Sequence, residues 1–246
     1  LLVLDEGSDG NLIHFIRFIR ELKKESCEVI VQCPDEAQTL IDNQKWIDKT
    51  IAPDEVPEHD FYIPIGSLMN VLKYNPNHHE QTFPYIEADT DKIRKNNSDK
   101  LSIGLVFETD RNSNAHDDES IQPGLFENIF TEEHNVVCLD KYVTNKTLPD
   151  YCSEHISYSN LQELSQVISN MDLIITVDHL VAHLAGALNI DTILMLPCVP
   201  NWRWDINFRD TSVWYKSFKV IRQQTPGDWT LVMSKLSNHL SGLKNG

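Results

Sequence analysis

The run Asp172-Leu173-Ile174-Ile175-Thr176-Val177-Asp178-His179-Leu180-Val181-Ala182-His183-Leu184-Ala185-Gly186-Ala187-Leu188 constrains the chain more than any other stretch. Residues 173–177 are apolar or β-branched without polar alternation, the pattern of a strand buried on both faces of a parallel sheet. The strand pattern stops at Asp178. From His179 onward, Leu180, His183, Leu184, Ala187 and Leu188 recur at helical spacing. A strand that turns directly into a helix aims free backbone N–H groups, and the positive end of the helix dipole, at whatever lies above the sheet. Asp178, His179, Leu180 and Val181 are therefore candidates for an anion site, at the carboxyl edge where open α/β sheets bind ligands.

The rest of the chain alternates strand and helix signals. Residues 1–4 read as a strand, 11–24 as an amphipathic helix, 28–33 as a strand, and Pro34-Asp35-Glu36 as a helix start. Residues 47–51 and 61–64 follow as short strands. Between 75 and 100 the periodicity fails among Pro76, Pro84, Asn96, Asn97 and Ser98, and a linker is expected. A second series comprises strands at 101–107, 135–139, 173–177 and 192–196, with helices near 123–130 and at 161–168. Thr192 to Leu196 is the last clear strand, and Asp228 caps a terminal helix carrying Val232, Leu236, Leu240 and Leu243 on one side. The expected class is α/β: two Rossmann-like parallel-sheet halves, residues 1–97 with the linker and residues 98–246, facing across a cleft.

A chain of 246 residues can bury a sizeable core. Its formal charge of −16 argues against a nucleic-acid partner, because phosphate backbones are held by clustered Lys and Arg. The five scattered cysteines, Cys27, Cys33, Cys138, Cys152 and Cys198, lack zinc-site spacing and read as reduced thiols of a cytoplasmic protein. No apolar run approaches the ~20 residues of a transmembrane segment, and no secretion signal opens the chain. The chain starts inside a core-like strand without Met, which suggests a domain from a longer protein.

The stretch from Asp172 to about Leu243 resembles the C-terminal end of family-9-like glycosyltransferase domains. The matching blocks are Asp178, His183 to Leu188, Leu196-Pro197, Pro200-Asn201-Trp202-Arg203-Trp204, Trp214-Tyr215, Ile221-Arg222-Gln223 and Pro226-Gly227-Asp228-Trp229, in the family's order. Such domains often follow tetratricopeptide repeats and are distantly similar to O-linked N-acetylglucosamine transferases. The resemblance implies the GT-B arrangement, in which the last helix packs back toward the first domain. It also implies a nucleotide-activated sugar as donor, a UDP-sugar foremost, and no metal or other cofactor.

The resemblance also marks departures. The family's glycine loop reads Gly-x-Gly-Asp, its aspartate being the general base, and in register those positions are Ser8, Asp9, Gly10 and Asn11. An amide accepts no proton near neutrality, so Asn11 can orient an acceptor but not deprotonate it, and Asp9 is the replacement candidate. Both residues also read as simple helix caps. Glu6, His14 and the acidic stretch 108–119 are further candidates for a base. That stretch keeps Phe107, Ser120 and Ile121 but replaces the family's basic residues with carboxylates. Where the family has Thr or Ser after Asp178, this chain has His179, while His183 matches the family histidine. Trp202 and Arg203 suit sugar stacking and phosphate binding, or serve only to shape the loop after the preceding strand. His116-Asp117-Asp118-Glu119, His78-His79-Glu80 and Asp89-Thr90-Asp91 have metal-like composition but read as solvated or capping residues, so no metal site is expected. The sequence thus points to a metal-independent glycosyltransferase with a nucleotide-sugar donor and an unidentified glycan, lipid-linked or protein acceptor. The alternative is a degenerate GT-B domain that binds sugar or nucleotide, or acts as a scaffold.

Overall fold

Among the described residues, ten short strands form two separate parallel sheets, as the alternating pattern predicts. The computed structural model describes residues 1–7, 9–22, 27–75, 82–89, 99–109, 119–141, 143–144, 146–204 and 209–243, with Asp9 described by its backbone alone. The first sheet holds β1 (Leu2–Leu4), β2 (Ile30–Gln32), β3 (Lys49–Ile51) and β4 (Tyr62–Pro64) in the order β3-β2-β1-β4. The second holds β5 (Leu101–Leu105), β6 (His134–Cys138), β7 (Glu154–His155), β8 (Leu173–Thr176), β9 (Thr192–Leu196) and β10 (Phe218–Arg222), ordered β10-β9-β8-β5-β6-β7. Every pairing between these strands is parallel.

The second sheet builds outward from β5 through β6 to β7, and from β8 through β9 to β10 on the other side. Its direction of winding therefore reverses between β5 and β8, where Leu105 pairs with Ile175 and the two carboxyl ends lie side by side. Crevices of this kind are where open α/β sheets bind ligands. All residues of β8 and β9 are buried, as their unbroken apolar pattern requires.

Helices connect and cover the strands. The segment expected as one helix over 11–24 begins at Asp9 and is broken into α1 (Asp9–Phe15), a 3-10 turn at Ile16–Phe18 and α2 (Ile19–Leu22). α3 (Asp35–Asp42) and α4 (Leu68–Val71) follow in the first half. In the second, α5 (Leu161–Ile168) starts with a reciprocal cap: Asn160 Oδ1 accepts from Glu163 N at 2.9 Å, and Glu163 Oε2 accepts from Ser159 N at 2.9 Å. α6 (Leu180–Leu188) is almost wholly buried and ends on Asn189 in the left-handed conformation, φ 61°. The terminal α7 (Thr230–Leu243) starts where Asp228 Oδ1 accepts from Thr230 N at 2.9 Å. It buries Val232, Leu236 and Leu240 over β10 and leaves Leu243 half exposed.

Two expectations change. β9 is not the last strand, because β10 adds a further parallel strand at the edge, with Lys219 exposed between buried neighbours. The helix near 123–130 is only a 3-10 turn, Pro123–Phe126. The described part of the expected linker, residues 82–89, holds no helix or strand and is packed: Tyr85 and Ile86 are buried, and both donate backbone N–H groups to Ala187 O, at 3.0 and 3.3 Å.

The two halves meet through their helices, α1 on α6 and α3 on α5, with Asn43 Nδ2 donating to Gln162 Oε1 at 3.2 Å. Close approach depends on Gly186. A Cβ there would run into the ring of Tyr215, which lies flat over this position of α6. All five cysteines are free thiols. No described helix is long and apolar enough to cross a membrane.

Candidate functional site

The candidate site lies where the β8–α6 turn and the loop after β9 meet α1 of the other half. At the first-half turn, Gly7 adopts φ 81°, a value that favours glycine, and its N–H donates to Asp5 Oδ2 at 3.2 Å. Glu6 Oε2 accepts from Gly66 N at 2.9 Å, which ties the turn to the end of β4. Ser8 and the side chain of Asp9 lie outside the described residues; Gly10 and Asn11 form the first turn of α1 and are part-buried. From the other half, Arg203 Nη1 donates to Asn11 Oδ1 at 2.9 Å. The structure therefore joins two predicted site residues that stand 192 positions apart.

The loop that carries Arg203 is well anchored. Its carbonyl accepts from Trp214 Nε1 at 2.9 Å, and Arg222 donates to the Trp204 carbonyl. Trp202 remains 57% exposed, with one face stacked on Phe15 at 6.3 Å and the Arg203 guanidinium 5.6 Å from its ring centre. An exposed indole beside a guanidinium is suited to a flat apolar group joined to an anion.

At the start of α6, His179 is the cap. Its Nδ1 accepts from Val181 N at 3.1 Å, the role that a Ser or Thr hydroxyl would fill. One backbone donor of this helix end is thus already used, and Leu180 and Val181 are buried. Asp178 is 20% exposed, with its Oδ1 3.9 Å from His183 Nε2.

Beneath these groups lies a buried polar network that joins the halves. Tyr215 Oη is shared by His14 Nδ1 of α1 at 3.1 Å and His183 Nδ1 of α6 at 2.9 Å. Arg17 donates from Nε to His14 O at 2.7 Å, from Nη1 to Trp214 O at 3.0 Å and from Nη2 to Tyr85 Oη at 2.9 Å. Tyr85 Oη in turn donates to Ile13 O at 3.0 Å. Burial, followed by the fields of Arg17, His183 and Arg203, holds His14 well below the usual imidazole range. Burial, followed by Arg203, Arg17 and His179, does the same to His183. Both rings are therefore neutral at pH 7.

The Tyr215 hydroxyl offers one proton and two lone pairs, so it can serve both rings at once. His14 Nε2 is buried and has no hydrogen-bond partner among the described residues. As a candidate base His14 is poorly placed, because its ring is wholly buried between the halves.

Asp140 was not foreseen. It follows β6, is 1% exposed, and accepts from Phe107 N at 3.1 Å and Glu108 N at 3.0 Å, clamping the chain as it leaves β5 at the crevice. Burial raises its pKa to about 6, against the lowering effect of those two N–H groups and of His179. An aspartate directly after an apolar strand, as at Asp178, was the available signal. The neck of the acidic stretch is closed by Ile121 N donating to Phe107 O at 2.8 Å and Thr109 N donating to Ser120 Oγ at 3.0 Å. Residues 110–118, 76–81 and 90–98, with the acidic and histidine clusters predicted there, lie outside the described residues. Among the described residues, no group of three His, Cys, Asp or Glu side chains is placed to hold a metal ion.

No protein-family model matches the chain, and no curated protein matches it by sequence. Solved structures do. ADP-heptose LPS heptosyltransferase II of E. coli superposes with a TM-score of 0.67 at 13% identity, covering 98% of this chain and 97% of that one. A glycosyl transferase family 9 protein of Veillonella parvula gives 0.66 at 9% identity, covering 98% and 88%. E. coli heptosyltransferase WaaC, solved with ADP, gives 0.60 at 10% identity, covering 98% and 99%. At such identities the likeness establishes architecture: the chain has the GT-B-like fold of these glycosyltransferases.

Proposed function

We propose that the protein is a glycosyltransferase that binds a nucleotide-activated sugar in the crevice at the carboxyl ends of β5 and β8 and transfers the sugar without a metal. The observation that supports this most is the convergence of Asn11, Asp178, His183, Trp202 and Arg203 from both halves on the carboxyl edge of the sheets. Ligands of doubly wound sheets bind at such an edge. Solved proteins of similar fold include one described with ADP and one with ADP-D-β-D-heptose.

In this reading the start of α6 stabilises the departing diphosphate through its dipole and its remaining N–H groups. Asp9, in the first turn of α1, takes the proton of the acceptor hydroxyl, because Asn11 lacks basicity and its oxygen is held by Arg203. The uracil base follows from the sequence resemblance, and adenine is the competing choice suggested by the ADP-bound structure of similar fold. Hydrolysis assays with UDP- and ADP-sugars, on wild type and Asp9→Asn, test the proposal. Turnover reduced ~10²–10⁴-fold in the variant with nucleotide affinity unchanged is expected of a lost base. Nucleotide binding without turnover of any donor would favour the binding-module reading.

A further inference from the structure

Arg203 bridges the halves in an unusual electrical setting. Its guanidinium offers five N–H donors. Among the described residues only one is used, Nη1 to Asn11, while Nε is buried without a partner. The group it bonds is an amide, so the contact orients the guanidinium and leaves its charge intact. A carboxylate at the same position would form a charge-assisted, potentially bidentate pair and neutralise it. The ring of Trp202 lies alongside, exposed on its outer part. In a chain of formal charge −16, a part-buried cation whose donors are mostly unused among the described residues is costly at a ligand crevice unless an anion completes it.

We propose that Arg203 is the anion-holding residue of this crevice and takes a phosphate or diphosphate group, and that Asn11 serves it as a neutral positioning residue. Asparagine at position 11 is then a working part of the binding site: it fixes the guanidinium without competing with the ligand for charge. The diphosphate of a nucleotide sugar is the chemistry that fits, and this identification rests on the function proposed above. Anion binding by Arg203 can be measured separately.

The experiment is a calorimetric titration of the full chain with inorganic pyrophosphate, and in parallel with UDP, ADP, uridine and adenosine. Wild type, Arg203→Met, Arg203→Lys, Asn11→Asp and Asn11→Ala are compared, with thermal melts confirming that each is folded. Wild type should bind pyrophosphate, and Arg203→Met should weaken it ~10–100-fold, the range of a charge-assisted hydrogen bond. Arg203→Lys should lose less, since it keeps the charge. Asn11→Asp should weaken pyrophosphate more than Asn11→Ala, because it adds a competing charge where alanine only removes an orienting group. That order supports the inference even if no nucleotide binds, in which case the glycosyltransferase reading fails by itself. Absence of pyrophosphate binding to wild type, insensitivity to Arg203→Met, or an Asn11→Ala loss equal to or larger than that of Asn11→Asp would each overturn it. Nucleotide binding that persists alongside any of these results would leave the proposed function standing.

Discussion

Tyr215→Phe removes a single oxygen and exposes how the halves are joined. That oxygen is the shared partner of His14 Nδ1 and His183 Nδ1, at 3.1 and 2.9 Å, in a fully buried setting. The ring of the variant fits the same space, so packing over Gly186 is kept. What changes is hydrogen bonding: one ring nitrogen of His14 and one of His183 lose their partner in a buried setting. With ~1–3 kcal/mol for each buried group left unsatisfied, the cost is roughly 2–6 kcal/mol. For a chain of this size each kcal/mol lowers the melting temperature by about 2–4 °C, so a drop on the order of 4–24 °C is expected. Scanning calorimetry at pH 7.5 measures it, with Tyr151→Phe as control, since that hydroxyl donates to Pro123 O at an exposed position. A drop under about 2 °C, or one matched by the control, would show that the Tyr215 hydroxyl does not hold the interface.

Other outcomes follow from the same groups. Both network histidines have depressed pKa values when folded, so the stability they contribute is present above their unfolded pKa near 6.5 and is lost as pH falls below it. Urea unfolding should show this as a decline of up to about 1.4 kcal/mol per pH unit per histidine, and a pH-independent midpoint between pH 7 and 5 would contradict it. Asp140 acts in the opposite sense, because its folded pKa is raised from 3.8 to about 6 and its contribution is lost as pH rises through that window. Asp140→Asn should therefore gain stability relative to wild type between pH 4 and 7, by up to about 3 kcal/mol, and a constant difference would refute burial as the cause. Gly186→Ala should destabilise by about 1–3 kcal/mol or more through overlap with the Tyr215 ring, read by thermal melting, and a neutral result would mean that the ring is not seated there.

What could be read from the sequence was governed by how local each signal is. The strand Leu173–Thr176 and the helix Leu161–Ile168 were legible because unbroken apolar runs and strong helical periodicity are properties of neighbouring residues. β10 was missed because an edge strand has one half-solvated face, and the exposed Lys219 breaks the apolar run. The packing of the linker was not legible, because Tyr85 and Ile86 bond to Ala187, a contact that no local pattern encodes. In the candidate site, Asn11 and Arg203 were each legible as residues, Asn11 as an orienting amide, but their bond across 192 positions was not. His179 read as a lost hydroxyl, whereas its ring nitrogen caps α6 in the hydroxyl's place. Asp140 was overlooked because its role depends on the neighbouring strand end at Phe107 and Glu108.

The central claim is that a nucleotide diphosphate binds at the crevice between the halves. Amide hydrogen exchange followed by mass spectrometry, with and without saturating UDP or ADP, tests it by location as well as by affinity. Slower exchange is predicted for peptides covering the turn before α1, the start of α6 at Asp178 to Ala182, and the Trp202 loop, with the strands of the first sheet beyond β1 unchanged. Unaltered exchange at all three under saturating nucleotide, or protection confined to the region around α7 and β10, would contradict the account.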